Sequence, residues 1–176
     1  MLKTTNEIGV SAMANRLVPF VRKTPLQFVN AADLGLDGSA IALKLEFLQH
    51  TGNIKVRAAE AFCQRLEGDT STVVSACPSD DAIALAYAAR RRGLKARLYV
   101  ATTTPYPDVA RMRSEAPDLI FGLRDDVLRR RAARAWSRRH CAVYYDPIRS
   151  KMAFTALGTI GVEIEGQLRD AEEDVD

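Results

Sequence analysis

From residue 72 onward, short apolar runs alternate with helix-type segments, and this alternation limits the fold more than any other feature of the chain. Residues 72–76 are apolar and β-branched with no polar face, the pattern of a buried strand. Residues 82–92 are Ala-rich and helical, stopped by Gly93. The spacing then predicts a strand over 96–101, a helix over 107–115, a short strand over 118–121 and a one-faced helix over 125–139. A strand over 142–145 and a helix over 152–168 follow. Strands separated by helices need crossover connections, so they lie parallel with helices on both faces. The expected fold is α/β, an open parallel sheet of about four strands flanked by helices.

The chain before residue 72 is organised differently. A helix is expected over 6–18, ending near Pro19. An extended piece over 26–29, a strand over 41–46 and a helix over 54–66 stopped by Gly68 follow. The expected organisation is a partial second lobe over residues 1–50, the α/β domain over 51–168, and an acidic tail over 169–176 that frays. A 47% hydrophobic and 27% charged composition supports a core and a solvated surface, which excludes global disorder.

The net charge of +3 is mild. Arg129-Arg130-Arg131 and Arg138-Arg139 read as a solvated helix face, with no nucleic-acid partner expected. Cys63, Cys77 and Cys141 are odd in number and form no CxxC pair. Cys63 and Cys141 read as small core residues. His50 and His140 lack ligand spacing, so no metal site is expected. No stretch approaches the ~20 apolar residues of a membrane span, and no signal segment is visible. A reducing cytoplasm is the default expectation.

Two places carry chemistry. The first is the run from Leu43 to Ala59, where a strand enters the Thr51-Gly52 turn and Lys55 sits at the mouth of a helix. A lysine there faces the positive end of the helix dipole, which disfavours its protonated form. A neutral amine is what Schiff-base chemistry uses. The second is Cys77-Pro78-Ser79-Asp80-Asp81, at the carboxyl end of the strand over 72–76. Open α/β sheets bind ligands there, and a helix N-terminus favours anions. The two aspartates are expected to cap that helix and to repel an incoming carboxylate.

The wording of several segments resembles the pyridoxal-phosphate enzymes of the threonine dehydratase, serine racemase and threonine synthase family. Arg22-Lys23-Thr24-Pro25-Leu26 is similar to its R-x-T-P-L. Leu43 to Ala59 is similar to its L-K-L-E-x-L-Q-x-T-G-S-F-K-x-R-G-A, and Val73 to Ala89 to the strand and helix around its S-S-G-N-H loop. Leu98 to Ile120 follows its next strand and helix. Gly158-Thr159-Ile160 and Glu163-Ile164 are similar to its G-Q-G-T-I-x-x-E-I helix.

The resemblance implies pyridoxal 5'-phosphate as cofactor and Lys55 as the lysine that attaches it and acts as base at the substrate α-carbon. It implies Asn53 and Asp80 beside the cofactor, and Cys77, Ser79 and Asp81 on the substrate side, with a small amino acid as substrate. The five-residue loop departs from the family pattern. Asp80 falls on an asparagine that donates to the cofactor ring oxygen, and an ionised carboxylate has no proton to donate. Pro78 falls on a serine and has neither hydroxyl nor backbone N–H. The family's glycine-rich phosphate cradle has no counterpart in the chain, which ends about where the strand before it would begin. The expectation is a truncated ammonia-lyase-like homologue completed by another polypeptide. The alternative is a catalytically inactive relative acting as a binding or regulatory partner, or a remnant. Unpaired apolar strand edges in the N-terminal part are expected to drive self-association or to take a complementary subunit.

Overall fold

The computed structural model of the protein describes residues 9–38, 40–66, 72–116 and 118–173. The expected start of the first helix (residues 6–8), the stop at Gly68 and the last acidic residues, 174–176, lie outside these.

The N-terminal part contains helix α1 (Val10–Leu17), strand β1 (Leu26–Asn30), strand β2 (Ala40–Lys44) and helix α2 (Lys55–Cys63). The alternating part follows: β3 (Thr72–Ser75), α3 (Ser79–Arg91), β4 (Lys95–Tyr99), α4 (Tyr106–Glu115), β5 (Asp118–Ile120), α5 (Asp126–Arg139), β6 (Val143–Tyr144) and α6 (Lys151–Glu173). The four later strands form one parallel sheet in the order β5-β4-β3-β6. This is the α/β architecture that the alternation predicts.

Successive side chains on a strand point to opposite faces, and the core divides accordingly. Val73 and Leu98 face a cluster built with α2, α3 and α4, whereas Val74 and Tyr99 face Ala133 and Trp136 of α5. The Ala-rich sequence of α3 answers to its position. Buried residues run from Asp81 through Ala86, with Ala88 and Ala89 beyond, so the helix is enclosed by neighbours on most sides. Only small side chains permit such close helix approach at interior packing density. Met13, Leu17, Ala61 and Ala156 form a separate cluster joining α1, α2 and α6.

Three expectations are corrected. The strand expected over 41–46 stops at Lys44, and Glu46–Leu48 forms a 3-10 turn. The turn carries Glu46 inward to Thr24 and Arg57, and those bonds outweigh continuation of the strand. β1 and β2 pair antiparallel with each other, from Leu26 opposite Lys44 to Asn30 opposite Ala40, and as a two-stranded sheet they have no further strand on either outer edge among the described residues. Phe28 and Leu43 remain exposed on them. Cys141 is exposed at φ 51°, in the turn between α5 and β6, and takes no part in the core. The C-terminal helix does not fray at Asp170 but continues to Glu173.

Candidate cofactor and substrate site

The turn before Lys55 is held from several directions. Gln49 is buried; it donates to the Arg22 carbonyl (2.6 Å) and accepts from the Arg22 N–H (3.0 Å). Gly52 takes φ 71°, the left-handed conformation that glycine adopts without strain. Arg111 of α4 donates to the Thr51 carbonyl at 2.6 Å. Asn53 accepts the Lys55 backbone N–H at 2.9 Å and so caps the first turn of α2.

Two residues beyond Lys55, Arg57 anchors the helix. It is fully buried and forks onto two carboxylates. Nε and Nη2 donate to Glu46 at 3.0 and 2.9 Å, and Nη1 and Nη2 donate to Glu163 of α6 at 2.6 and 3.0 Å. Thr159 accepts from Nη1 at 3.2 Å. Lys44 meets Glu163 at 2.7 Å and donates to the Thr24 carbonyl. Burial alone would oppose the Arg57 charge, but the bonds to Glu46 and Glu163 outweigh it and raise its pKa. Burial likewise pushes the Glu163 carboxyl up, and the Arg57 and Lys44 partners bring it below its ordinary value. Sequence reasoning assigned none of these five residues a role. The available signal was their place in two separate family-like segments, each with a charge inside an apolar pattern.

Lys55 keeps 35% of its side chain exposed, and its ammonium lies 3.8 Å from Asp81 Oδ2. The structure thus brings Lys55 and Asp81 together, and it corrects one expectation. Asp81 is not a helix cap: no side chain caps α3, and Asp81 Oδ1 is buried with no hydrogen-bond partner among the described residues. Lys55 ion-pairs with this carboxylate at the mouth of α2. Burial raises the Asp81 pKa, Lys55 opposes the rise, and neighbouring Asp80 adds to it. Asp80 itself is exposed on the first turn of α3. Burial pushes the Cys77 thiol up to about 12, which suits a protonated wall residue rather than a nucleophile.

Two cavities flank the loop, of about 260 and 250 Å³, and both are lined by Cys77, Pro78 and Arg129. Ser79 lines the smaller one only. Lys55, Asp80 and Asp81 line neither cavity. Tyr145 underlies the first cavity, with its hydroxyl buried and unpartnered among the described residues.

The structure thus sets Lys55 at the mouth of α2, beside the loop that follows β3. The family model described as "pyridoxal-phosphate dependent enzyme" matches residues 17–176, and the chain belongs to that family. The biosynthetic L-threonine dehydratase of Mycobacterium tuberculosis is 32% identical over 166 residues, spanning 92% of this chain and 38% of the relative. Serine racemase of Oryza sativa is 25% identical over 151 residues, 85% of this chain and 44% of the relative. Among solved structures, a threonine deaminase from T.th. superposes with a TM-score of 0.83 at 26% identity, covering 92% of this chain and 51% of that one. The chain therefore spans about half or less of the length of these relatives.

The residues present suit one end of the family's cofactor and not the other. The Lys55 amine is accessible and pre-positioned by Asn53 and Arg57, as an aldehyde would require. The glycines with positive φ, at 35, 38, 52, 93 and 122, are scattered over separate turns. Among the described residues they build no cradle for a phosphate. No reaction step follows from these residues alone.

Proposed function

We propose that Lys55 is the cofactor-attachment residue of a pyridoxal-phosphate-dependent ammonia-lyase-like protein acting on a small amino acid. The observation that carries this reading is the accessible Lys55 ammonium, held at the start of α2 and paired at 3.8 Å with buried Asp81. The cofactor, when bound, supplies an electron sink for the substrate α-carbon. On this reading Lys55 Nζ would be the group placed to hold a proton at the substrate α-carbon, and Asp81 would orient it through the 3.8 Å pair. Cys77 and Ser79 wall the substrate side. A small hydroxy amino acid as substrate agrees with the names of the relatives, L-threonine dehydratase and serine racemase.

Activity on this reading requires a phosphate-binding segment that the described residues do not supply. Residues 1–50 form the edge of a second lobe, residues 51–168 the domain carrying Lys55, and 169–176 an acidic extension. A complementary subunit or a second copy covers exposed Phe28 and Leu43. A cytoplasmic location belongs to the same proposal. No helix among the described residues is long and apolar enough to cross a membrane.

Borohydride reduction in the presence of pyridoxal phosphate tests the assignment. A trapped adduct that maps to Lys55, is lost in Lys55→Ala and increases in Asp81→Asn supports it. Equal labelling of wild type and Lys55→Ala would overturn it. One observation favours a second reading, that of a non-catalytic relative: the same Lys55–Asp81 pair occupies the amine. That reading expects no Lys55 adduct even in Asp81→Asn.

A further inference from the structure

The long helix α6 carries a second apolar pattern besides the one that anchors it. Its inner side meets the rest of the molecule through Ala153, Ala156 and Thr159, which are buried, and through Glu163 and Gln167, which bond Arg57 and Lys44. Helix α1 closes one flank, where Val10 lies 3.5 Å from the position a Cβ would take on Gly158. A different set of residues, Phe154, Leu157, Gly161, Ile164 and Leu168, recurs at alternating intervals of three and four. On an α-helix these five fall on one stripe, the seam that a helix presents to another helix. Phe154 is 61% and Leu168 38% exposed, and Leu157 and Ile164 are half-buried. None of the four belongs to the clusters that fill the interior. A Cβ on Gly161 would meet nothing within 4 Å among the described residues, so the middle of the stripe is open.

The charge along α6 says what fits the stripe. The helix starts at Lys151, with Arg149 just before it, and the chain is acidic from Asp170 onward. Lys23 reaches Asp170 at 3.7 Å, but both side chains are exposed, so this pair offsets little of the acidic end. A parallel copy of α6 would set acidic end against acidic end and align the two helix dipoles. An antiparallel copy sets each basic start against an acidic end and opposes the dipoles, which is favourable on both counts. The stripe suits the same arrangement. When it is reversed, its Phe154 end meets the Leu168 end of the other copy. Gly161, which has no side chain, then receives a leucine or isoleucine from the opposite stripe. A patch that complements itself in this way is what a two-fold dimer needs.

We propose that α6 is a dimerisation helix, pairing antiparallel with α6 of a second copy of this chain along Phe154, Leu157, Gly161, Ile164 and Leu168. The stripe contains neither Lys55 nor the exposed Phe28 and Leu43 of the N-terminal strands, so the inference does not rest on the cofactor assignment.

Sedimentation equilibrium of the whole chain tests the proposal. At about 50 μM, above the Kd of an interface of micromolar affinity, the wild type is expected to be mostly dimeric, and added salt to weaken the dimer. Phe154→Glu and Leu168→Glu each place a charge in the stripe at an exposed position, so circular dichroism should show both folded. Each is expected to weaken dimerisation at least about tenfold. Orientation is read by crosslinking. In a Cys141→Ser background, Phe154→Cys and Leu168→Cys chains are mixed and treated with a short bismaleimide. A link between positions 154 and 168 is expected in higher yield than a link of either position to itself. A monomeric wild type, a dimer of unchanged affinity in both glutamate variants, or a predominance of self-links would each overturn the proposal. A dimer that meets these tests stands even where Lys55 fails to label, a result that would overturn the cofactor assignment alone.

Discussion

Arg57 and Arg129 are both buried, and they are used in opposite ways. Arg57 has two carboxylates and a threonine hydroxyl around it. Arg129 has one carboxylate, shared with Arg130, and two nitrogens with no acceptor among the described residues. The first pattern is a staple: α2, α6 and the turn after β2 meet on one guanidinium, with the donors satisfied by the protein itself. The second leaves two buried donors without an acceptor among the described residues. Burial of a charge is therefore not by itself what makes it structural in this molecule. The completeness of its partners is.

The largest expected effect comes from breaking the staple. Arg57→Met leaves Glu46 and Glu163 facing each other without their shared cation. Breaking one side of a buried ion pair typically costs about 3–5 kcal/mol, so chemical denaturation should show a stability loss of that order or no folded protein. Arg129→Met should behave differently. It removes an under-satisfied charge, so stability should hold or rise by roughly 1 kcal/mol. A loss as large as that of Arg57→Met would end the comparison. A smaller effect is expected at the turn: Asn53→Ala removes the acceptor for the Lys55 N–H and should cost about 1 kcal/mol in the same measurement.

The pH dependence sharpens the same contrast through carboxylates shifted in opposite directions. Glu163 has a folded pKa below its ordinary 4.5. Its contribution is present above 4.5 and is lost as pH falls through the folded value. Asp81 has a folded pKa above its ordinary 3.8. It opposes folding at neutral pH, and this penalty is relieved as pH falls through its raised value toward 3.8. Denaturation across a pH series should therefore show a drop below 4.5 that Arg57→Met diminishes. It should also show an upward contribution on acidification, above 3.8, that Asp81→Asn removes.

The alternating part of the fold was legible because each strand is short, apolar and bounded by glycine or a polar turn. Predicted and observed strands differ there by one or two residues. The errors cluster where a side chain does something non-local. Glu46 leaves its strand because Arg57 and Thr24 lie inward. Asp81 has the position of a cap, yet it turns to Lys55. Cys141 has the composition of a core residue, but the turn that ends α5 holds it at positive φ in solvent. Lys55 was visible from its place after Thr51-Gly52, and Arg129 was not. Within the run Arg129-Arg130-Arg131, nothing local distinguishes the buried arginine from its neighbours.

Periodicity, helix punctuation and residue type alone are enough to set the elements, their succession along the chain and the lysine at a helix mouth, because those depend on residues near in sequence, and the alternation of strand and helix then implies parallel pairing through crossover connections. Which charges are buried, and which of them are satisfied, depends on residues as far apart as Lys44 and Gln167, whose side chains meet at 2.7 Å. Such contacts follow from packing. The same reason hides the staple and the unsatisfied guanidinium from a reading of the chain: a hydrogen-bond count exists only once the partners have been assembled.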